Sequence, residues 1–363
     1  MNTTSTESQQ VNRKRLLKQL KAVQPGIAKR EFVVQSSCFV FRDGKVMSFN
    51  GQAAYSSPCN LRIECAVSAK RLLGILKTIR DEELSIRVSD EELTIIGAES
   101  ETSIKIDTEI HLPIDNVEIP KRWRSLPDDF DEALRVTVPC AARNDNNHKL
   151  NCVHFTPNRL EACDNFQLAR YRITTGMKGS RLVNAKCLKQ VMRSKMTHFS
   201  TTRKWYHFRN SDRLIISVWC WTEAYENLDD ILDCSGTAVS LPDSLEDVIE
   251  RLMKSAPRNG GGLLRLRSSR GRLLLSVDGP GGLHEEKIGV KYTGRHRDVV
   301  VVGKHLQELT RLVNHEHDGG ASPCGAARFD WEKGIARFEG KKSVYAICLE
   351  PADKSARRNR SRT

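Results

Sequence analysis

Apolar residues return at helical spacing in six separate segments of the chain, and the clearest is Ser240–Met253. There Leu245, Val248, Ile249 and Leu252 stand at i, i+3, i+4 and i+7, the spacing that places four side chains on one helix face. Asp243 or Ser244 can cap the start, Glu246 and Asp247 fill the first turn, and Arg251 and Lys254 lie toward the negative end of the helix dipole. An earlier run, Ser125–Leu134, opens with the same Ser-Leu-Pro-Asp sequence about 115 residues upstream. The other periodic segments are Arg13–Val23, Ser68–Ile79, Asn184–Arg193 and Gly303–His315, and the Ser125 run predicts a helix from about Asp128 to Ala141. The apolar centres of the six lie near Leu17, Leu73, Leu134, Val191, Ile249 and Leu309, about 60 residues apart.

Short alternating or continuous apolar runs fill the intervals and predict strands. In the first third they are Phe32–Gln35, Cys38–Phe41, Lys45–Phe49 after an Asp43-Gly44 turn, Asn60–Ala66, Leu84–Val88, Leu93–Gly97 and Thr102–Thr108. In the middle third they are Cys152–Thr156, Arg159–Cys163 after Pro157-Asn158, Leu168–Thr174, Trp205–Arg209 and Leu214–Trp219. The last third offers Leu263–Arg267, Arg272–Asp278, Ala326–Trp331, Ile335–Glu339 and Val344–Leu349. Each third therefore reads helix, strands, helix, strands. This is an α+β chain of three repeated domains, 1–124, 125–238 and 239–352, with a basic tail at 353–363. The Ser/Thr/Gln-rich residues Met1–Gln10 read as loose.

Composition narrows the class. Across 363 residues, 39% are hydrophobic and 28% charged, which suits packed small domains, and the formal net charge of +13 points to a polyanionic partner. The 11 cysteines are scattered without a CxxC pair, so they read as free, mostly buried thiols of a reducing compartment. No cysteine pair at finger spacing accompanies His315 and His317, and no metal or cofactor is implied. The glycine runs at 260–262 and 281–282 lack the Lys-Ser/Thr of a phosphate cradle. No apolar run approaches the length of a membrane span.

The positive charge falls on the helices. Once each buries its apolar stripe against a sheet, the remaining faces carry Arg13, Lys14, Lys18, Lys21, Lys70, Arg71 and Lys77 in the first third. The second third adds Arg135, Lys186, Lys189 and Arg193, and the last adds Arg251, Lys254, Lys304 and Arg311. Such a set would contact phosphates and position duplex DNA without reading its sequence. Acids on the same helices, among them Asp131, Glu132, Glu246, Asp247, Glu250 and Glu308, moderate the local field.

Two stretches carry a family resemblance. Val153–Ala169 resembles the middle-domain strand pair of the bacterial-type DNA polymerase sliding clamps, the polymerase III beta subunits, which ends in Asp-Gly-His-Arg-Leu-Ala. Asp164, Leu168 and Ala169 match that element, while Asn165, Phe166 and Gln167 depart from it. Tyr225–Leu232 resembles the segment that crosses into the third domain, and the Leu16–Leu20 helix also fits. The resemblance spans roughly residues 10 to 350. It implies a head-to-tail homodimeric ring with two inner helices and outer antiparallel sheets per domain. Double-stranded DNA would pass through the hole, a DNA polymerase would be tethered outside, and a clamp loader would open the ring in the cytoplasm. It further implies a pocket for short apolar partner peptides, formed by Leu168, Ile231, Leu232, Ala346, Ile347 and Cys348. The ending Cys348-Leu349-Glu350-Pro351 departs from the family's usual C-terminus.

A clamp makes and breaks no bond, so no catalytic residue is expected. Two alternatives stand beside it: a repeated-domain protein that binds DNA without encircling it, and a metal-dependent nuclease. His148, His154 and Asp164 could be drawn as an acid-base cluster, but their spacing fits no catalytic motif, and solvated loop and strand positions suit them better. Cys163 reads as buried rather than nucleophilic.

Overall fold

The computed structural model describes residues 8–233, 236–240, 242, 244–257, 262–269, 271–290, 296–317 and 326–352. Its helices are α1 (Arg13–Val23), α2 (Ala69–Thr78), α3 (Phe130–Thr137), α4 (Ala185–Arg193), α5 (Asp229–Leu232), α6 (Leu245–Ser255) and α7 (Gly303–His317). All six periodic segments are helical, and α5 is an additional single turn. The Asn12 side chain accepts the Arg15 backbone N–H at 3.1 Å and so caps α1, whose Leu16, Leu20 and Val23 are buried along one face. Helix α3 stops short of the expected Ala141. Pro139 has no N–H to extend the ladder, and Val138–Cys140 tightens into a 3-10 turn. Ser244 makes no side-chain cap bond to α6, and Asp243 lies outside the described residues. The side chains of Leu309, Leu312 and Val313, expected on the apolar face of α7, also lie outside them, as do Gly260, Gly261 and the basic tail from residue 353.

By contacts the chain divides into two compact units, Met1–Asp128 with Lys186–Thr222, and Asp129–Ala185 with Glu223–Thr363. In the first unit an unbroken antiparallel ladder begins with Gln9–Asn12, Glu83–Val88, Glu92–Ile96, Glu101–Asp107 and Cys65–Ser68. It continues through Cys38–Arg42, Lys45–Phe49, Ala53–Pro58, Ile215–Trp221, Trp205–Arg209 and His198–Thr201 to Arg124–Ser125. Side chains alternate across this sheet. Ser48, Tyr55, Ile216 and Phe208 point to one face, where the Ser48 hydroxyl donates to the Val23 carbonyl at the end of α1. Met47, Ser56, Ile215 and Arg209 point to the other. Over part of that second face Leu112 and Ile114 pack against Val40 and Ala66.

Three expectations are corrected here. Gln9 and Gln10 are not loose but open the edge strand Gln9–Asn12, which pairs with Glu83–Ile86. Phe32–Gln35 is not a strand. Gln35 takes φ +63°, and its buried amide donates to the Glu109 carbonyl while accepting from the His111 N–H, which bends the chain there. Of Asn60–Ala66 only the end is extended, in Cys65–Ser68. Pairing has moved upstream to Ala53–Pro58, which the small, polar sequence Ala-Ala-Tyr-Ser-Ser did not signal. The Asp43-Gly44 turn forms as expected, with φ of +53° and +64°, the left-handed pair that a two-residue hairpin requires.

The second unit holds two sheets. One runs Arg181–Asn184, Cys152–Phe155, Arg159–Cys163, Gln167–Arg172, Ser343–Cys348, Ile335–Glu339, Ala326–Asp330 and Thr237–Ser240. Phe130 of α3 reaches Phe155 of this sheet, with ring centroids 6.3 Å apart. The other sheet runs Gly282–Gly289, Arg272–Gly279, Leu263–Ser269, Arg297–Val302 and Glu350–Pro351. Helix α6 buries Leu245, Val248, Ile249 and Leu252, each worth about 1.5–3 kcal/mol when removed from water.

His207 tests the first unit. Its ring is fully buried between Ser217 Oγ at 2.8 Å and Thr202 Oγ1 at 3.0 Å, and burial lowers its pKa to about 4 despite nearby Glu118. An unfolded histidine binds its proton near pH 6.5, so below that pH the unfolded chain holds more protons and stability falls as pH drops toward 4. Urea titrations across this window should show the wild type losing about 3 kcal/mol more than a His207→Gln variant. Parallel losses in the two proteins would show that His207 is not buried neutral.

Candidate nucleic-acid faces and partner pocket

The helical cations differ between the two units. In the first, Lys21, Lys70, Arg71, Lys77 and Arg193 are exposed, and none has a carboxylate within 4 Å among the described residues. Lys186 is exposed and Lys189 half-buried. Lys14 pairs with Glu82, and Lys18 pairs with Asp212 at 3.1 Å. Arg13 has a structural task. Half-buried, it donates to the carbonyls of Leu76 and Asp81 at 3.2 and 2.8 Å and satisfies backbone oxygens at the end of α2.

In the second unit Arg135 is exposed, with no ion pair among the described residues. The remaining four cations are matched by acids: Arg251 with Glu286 at 2.9 Å, Lys254 with Glu250 at 3.2 Å, Lys304 with Glu308 at 3.8 Å and Arg311 with Glu246 at 3.3 Å. The Arg251 guanidinium holds the Glu286 carboxyl below its ordinary pKa. A phosphate approaching one of these cations competes with a carboxylate already in place.

The peptide-pocket residues gather in the second unit. Leu168, Ile231, Ala346, Ile347 and Cys348 line one cleft of about 300 Å³. Leu232 lies beneath it, in a cluster with Leu150, Cys163, Leu228, Ile335 and Val344. Cross-strand pairing sets Leu168 opposite Ala346 and Gln167 opposite Ile347. The Asp164–Gln167 turn forms one lip. The Asp164 carboxylate accepts the backbone N–H groups of Phe166 and Gln167 at 2.7 and 2.8 Å, which accounts for an aspartate there. Phe166, 43% exposed, sits at the tip with its ring 6.2 Å from that of His305 at the start of α7.

The opposite lip is α5 and the segment before it, fixed through buried polar groups. The Tyr225 hydroxyl accepts the Cys163 N–H at 3.0 Å. Glu161, only 1% exposed, accepts from His154 Nδ1 at 2.8 Å, Arg159 Nε at 3.2 Å and Arg170 Nε at 2.7 Å. Burial acts to raise the Glu161 pKa, but the His154 bond and the charges of Arg170 and Arg159 outweigh it and hold the carboxylate ionised. Arg170 reaches onward to Asp229 Oδ1 at 2.7 Å, the first residue of α5. His154 is thus not solvated, as its strand position suggested, but buried, and its Nε2 shares a hydrogen bond with the Ser180 hydroxyl at 2.6 Å. Its partners are structural, and Asp164 is occupied with its turn. Cys163 is buried with its thiol pKa raised, first by desolvation. Among the described residues, no group of three or more His, Cys, Asp and Glu side chains could hold a metal ion. No helix among them is long and apolar enough to cross a membrane.

No family model matches this sequence, and no curated protein does either. Solved structures do. A structure from Eubacterium rectale assigned as a DNA polymerase III beta subunit superposes with a TM-score of 0.79 at 15% identity, covering 94% of this chain and 99% of that one. The DNA polymerase sliding clamp of Bacillus subtilis gives 0.78 at 12% identity, over 95% and 99%. The sliding clamp of Bartonella birtlesii, solved bound to griselimycin, gives 0.78 at 14% identity, over 94% and 98%. This chain has the sliding-clamp fold. The clamp fold accounts for nearly its whole length, at 12–15% identity. Leu150 and Ile335 of the cleft were missed from the sequence because each is an ordinary apolar residue outside the matching motifs, and Leu228 was passed over within Tyr225–Leu232 in favour of Ile231 and Leu232. Glu161 was missed because a strand carboxylate reads as exposed until its three partners are assembled.

If Arg170 positions α5, Arg170→Ala should leave Glu161 and Asp229 short of a cation and cost about 3 kcal/mol or more in a urea titration. Hydrogen exchange should accelerate at residues 225–232 well beyond the change elsewhere. Uniform acceleration across the second unit would mean that the arginine serves the core generally.

Proposed function

We propose that the protein is a DNA sliding clamp: a head-to-tail homodimeric ring that encircles duplex DNA and tethers a replicative DNA polymerase. The observation that carries this reading is the superposition of 94–95% of the chain on polymerase III beta subunits and sliding clamps. Three clamp domains, 1–124, 125–238 and 239–352, would make six per dimer, closed into a ring by joining sheet edges. Inward helix faces would hold the duplex through phosphate contacts, led by the uncompensated Lys21, Lys70, Arg71, Lys77, Arg135 and Arg193, with Lys186 and Lys189 beside them. The ion-paired Lys14, Lys18, Arg251, Lys254, Lys304 and Arg311 would contribute less. The cleft of Leu168, Ile231, Ala346, Ile347 and Cys348 over Leu232 would receive a short apolar peptide of the polymerase or of the clamp loader that opens the ring. Tethering raises the polymerase's effective concentration at the primer end, and no bond is made or broken by the clamp itself. The setting is the cytoplasm, at the replication fork.

Topology separates this reading from plain DNA binding. Class averages of the purified protein in electron micrographs should show closed rings of six lobes. Protein assembled on nicked circular DNA should remain bound in high salt and leave when the circle is cut by a restriction enzyme. Equal loss from intact and cut circles would return the protein to the non-encircling class, and metal-dependent cleavage of the circle would favour a nuclease.

The charge distribution gives a second test. Binding of a short linear duplex should weaken more for Lys70→Glu/Arg71→Glu than for Arg251→Glu/Lys254→Glu. The salt slope of the first variant should fall by about 0.9 for each phosphate it no longer neutralises. Equal effects would mean that the carboxylate partners of Arg251 and Lys254 do not shield them.

A further inference from the structure

The first unit carries a second cleft, on the sheet face opposite α1, which the clamp reading does not use. It encloses about 800 Å³. The register of the ladder builds its floor. Lys45 stands opposite Pro58, Ser56 opposite Ile215, Ile215 opposite Arg209, and Arg209 opposite His198. These residues form a row across five strands, about 15–20 Å from end to end at the ordinary strand spacing. The two walls are turns, Asp43-Gly44 on one side and Asn210–Arg213 on the other. The second is a fixed structure. Arg213 takes φ +62° and donates its N–H to the Asn210 carbonyl at 3.1 Å, while Leu214 donates to the Asn210 side chain at 3.0 Å.

Cations outnumber acids in the cleft. Lys45, Arg209 and Arg213 have no carboxylate within 4 Å among the described residues, against the single lining acid Asp43. Asp43 lies 3.9 Å from Arg42 Nε, a guanidinium that is also paired with Asp115, and the neighbouring Asp212 pairs with Lys18 at 3.1 Å. The Arg209 guanidinium is held over the Trp123 ring, 4.4 Å from its centroid, so its position is set before any ligand arrives. Between the cations the floor is apolar at Pro58 and Ile215.

We propose that this cleft docks an extended acidic peptide segment of a partner protein, with carboxylates on Lys45, Arg209 and Arg213 and an apolar side chain on Pro58 and Ile215. The length of the row suits five or six extended residues. Single-stranded nucleic acid fits less well, because its bases need an open aromatic face. The cleft lining contains no Trp, Tyr or Phe, and the Trp123 ring beside it is already covered on one face by Arg209.

The full-length chain can be titrated into a fluorescein-labelled Asp-Asp-Leu-Glu-Asp-Leu peptide and followed by anisotropy. The uncharged Asn-Asn-Leu-Gln-Asn-Leu peptide and an oligothymidylate of equal charge serve as comparison probes. The acidic peptide should bind in a salt-sensitive manner and the uncharged one should not. Lys45→Glu/Arg213→Glu should weaken binding roughly tenfold. The milder Lys45→Gln/Arg213→Gln should weaken it less, which covers the case in which charge reversal unfolds the sheet. Lys70→Glu/Arg71→Glu should leave it unchanged. No binding by the wild type, equal binding by the cleft variants, or loss in the Lys70/Arg71 variant instead would overturn the proposal. Tighter binding of oligothymidylate, lost in the cleft variants, would overturn it in favour of a nucleic-acid site.

Discussion

The second unit depends on the antiparallel ladder between Gln167–Arg172 and Ser343–Cys348. It joins segments far apart in the chain, so its loop-closure cost is met only once both strands also pair outward, with Arg159–Cys163 on one side and Ile335–Glu339 on the other. Neither strand is then left as an open edge. The register is equally consequential. Leu168 meets Ala346 across the ladder, and a slip of one residue would turn Leu168 away from the cluster it shares with Leu228 and Leu232. Arg170, two residues further along the same strand, joins Glu161 to Asp229 and so ties α5 to this ladder. Both lips of the small cleft therefore follow from one strand pairing.

Legibility in the sequence followed the strength of each element's own pattern. Helices α1, α2, α4 and α6 bury stripes at i, i+3 and i+4, and their existence and approximate ends, like those of α7, could be read directly. Strands with buried aromatic or β-branched residues, such as Trp205–Arg209, could be read too. Gly282–Gly289 could not. Seven of its eight residues are exposed or half-buried, and it is extended only because Arg272–Gly279 pairs with it. Arg181–Asn184 and His198–Thr201 are likewise short and owe their conformation to neighbours.

The candidate sites divide the same way. Leu168 could be named because it falls in a stretch resembling clamps, and Ile347 by its position on the last strand, whereas Leu150 and Ile335 carry no local sign of the cleft they share. The ion pairs are further from view. Lys254–Glu250 and Lys304–Glu308 are i, i+4 neighbours and could be inferred from spacing. Arg251–Glu286 and Arg311–Glu246 join different elements, and only the packing of α6 brings them within reach.

That pairing bears on how a ring could hold DNA without gripping it. Strong static binding needs many cations whose counterions are released to phosphates, and each such contact adds to the barrier against moving along the duplex. A cation that keeps a carboxylate within 4 Å gives up part of that attraction, because a phosphate must share it or displace the acid. In this chain the compensated cations of the second unit lie on α6 and α7, while Lys70, Arg71 and Lys77 of α2 stand uncompensated. On the clamp reading, the field inside the ring would vary around its circumference. The duplex would be drawn toward the α2 faces and held loosely elsewhere, an arrangement in which topology supplies retention and charge supplies only a preferred side.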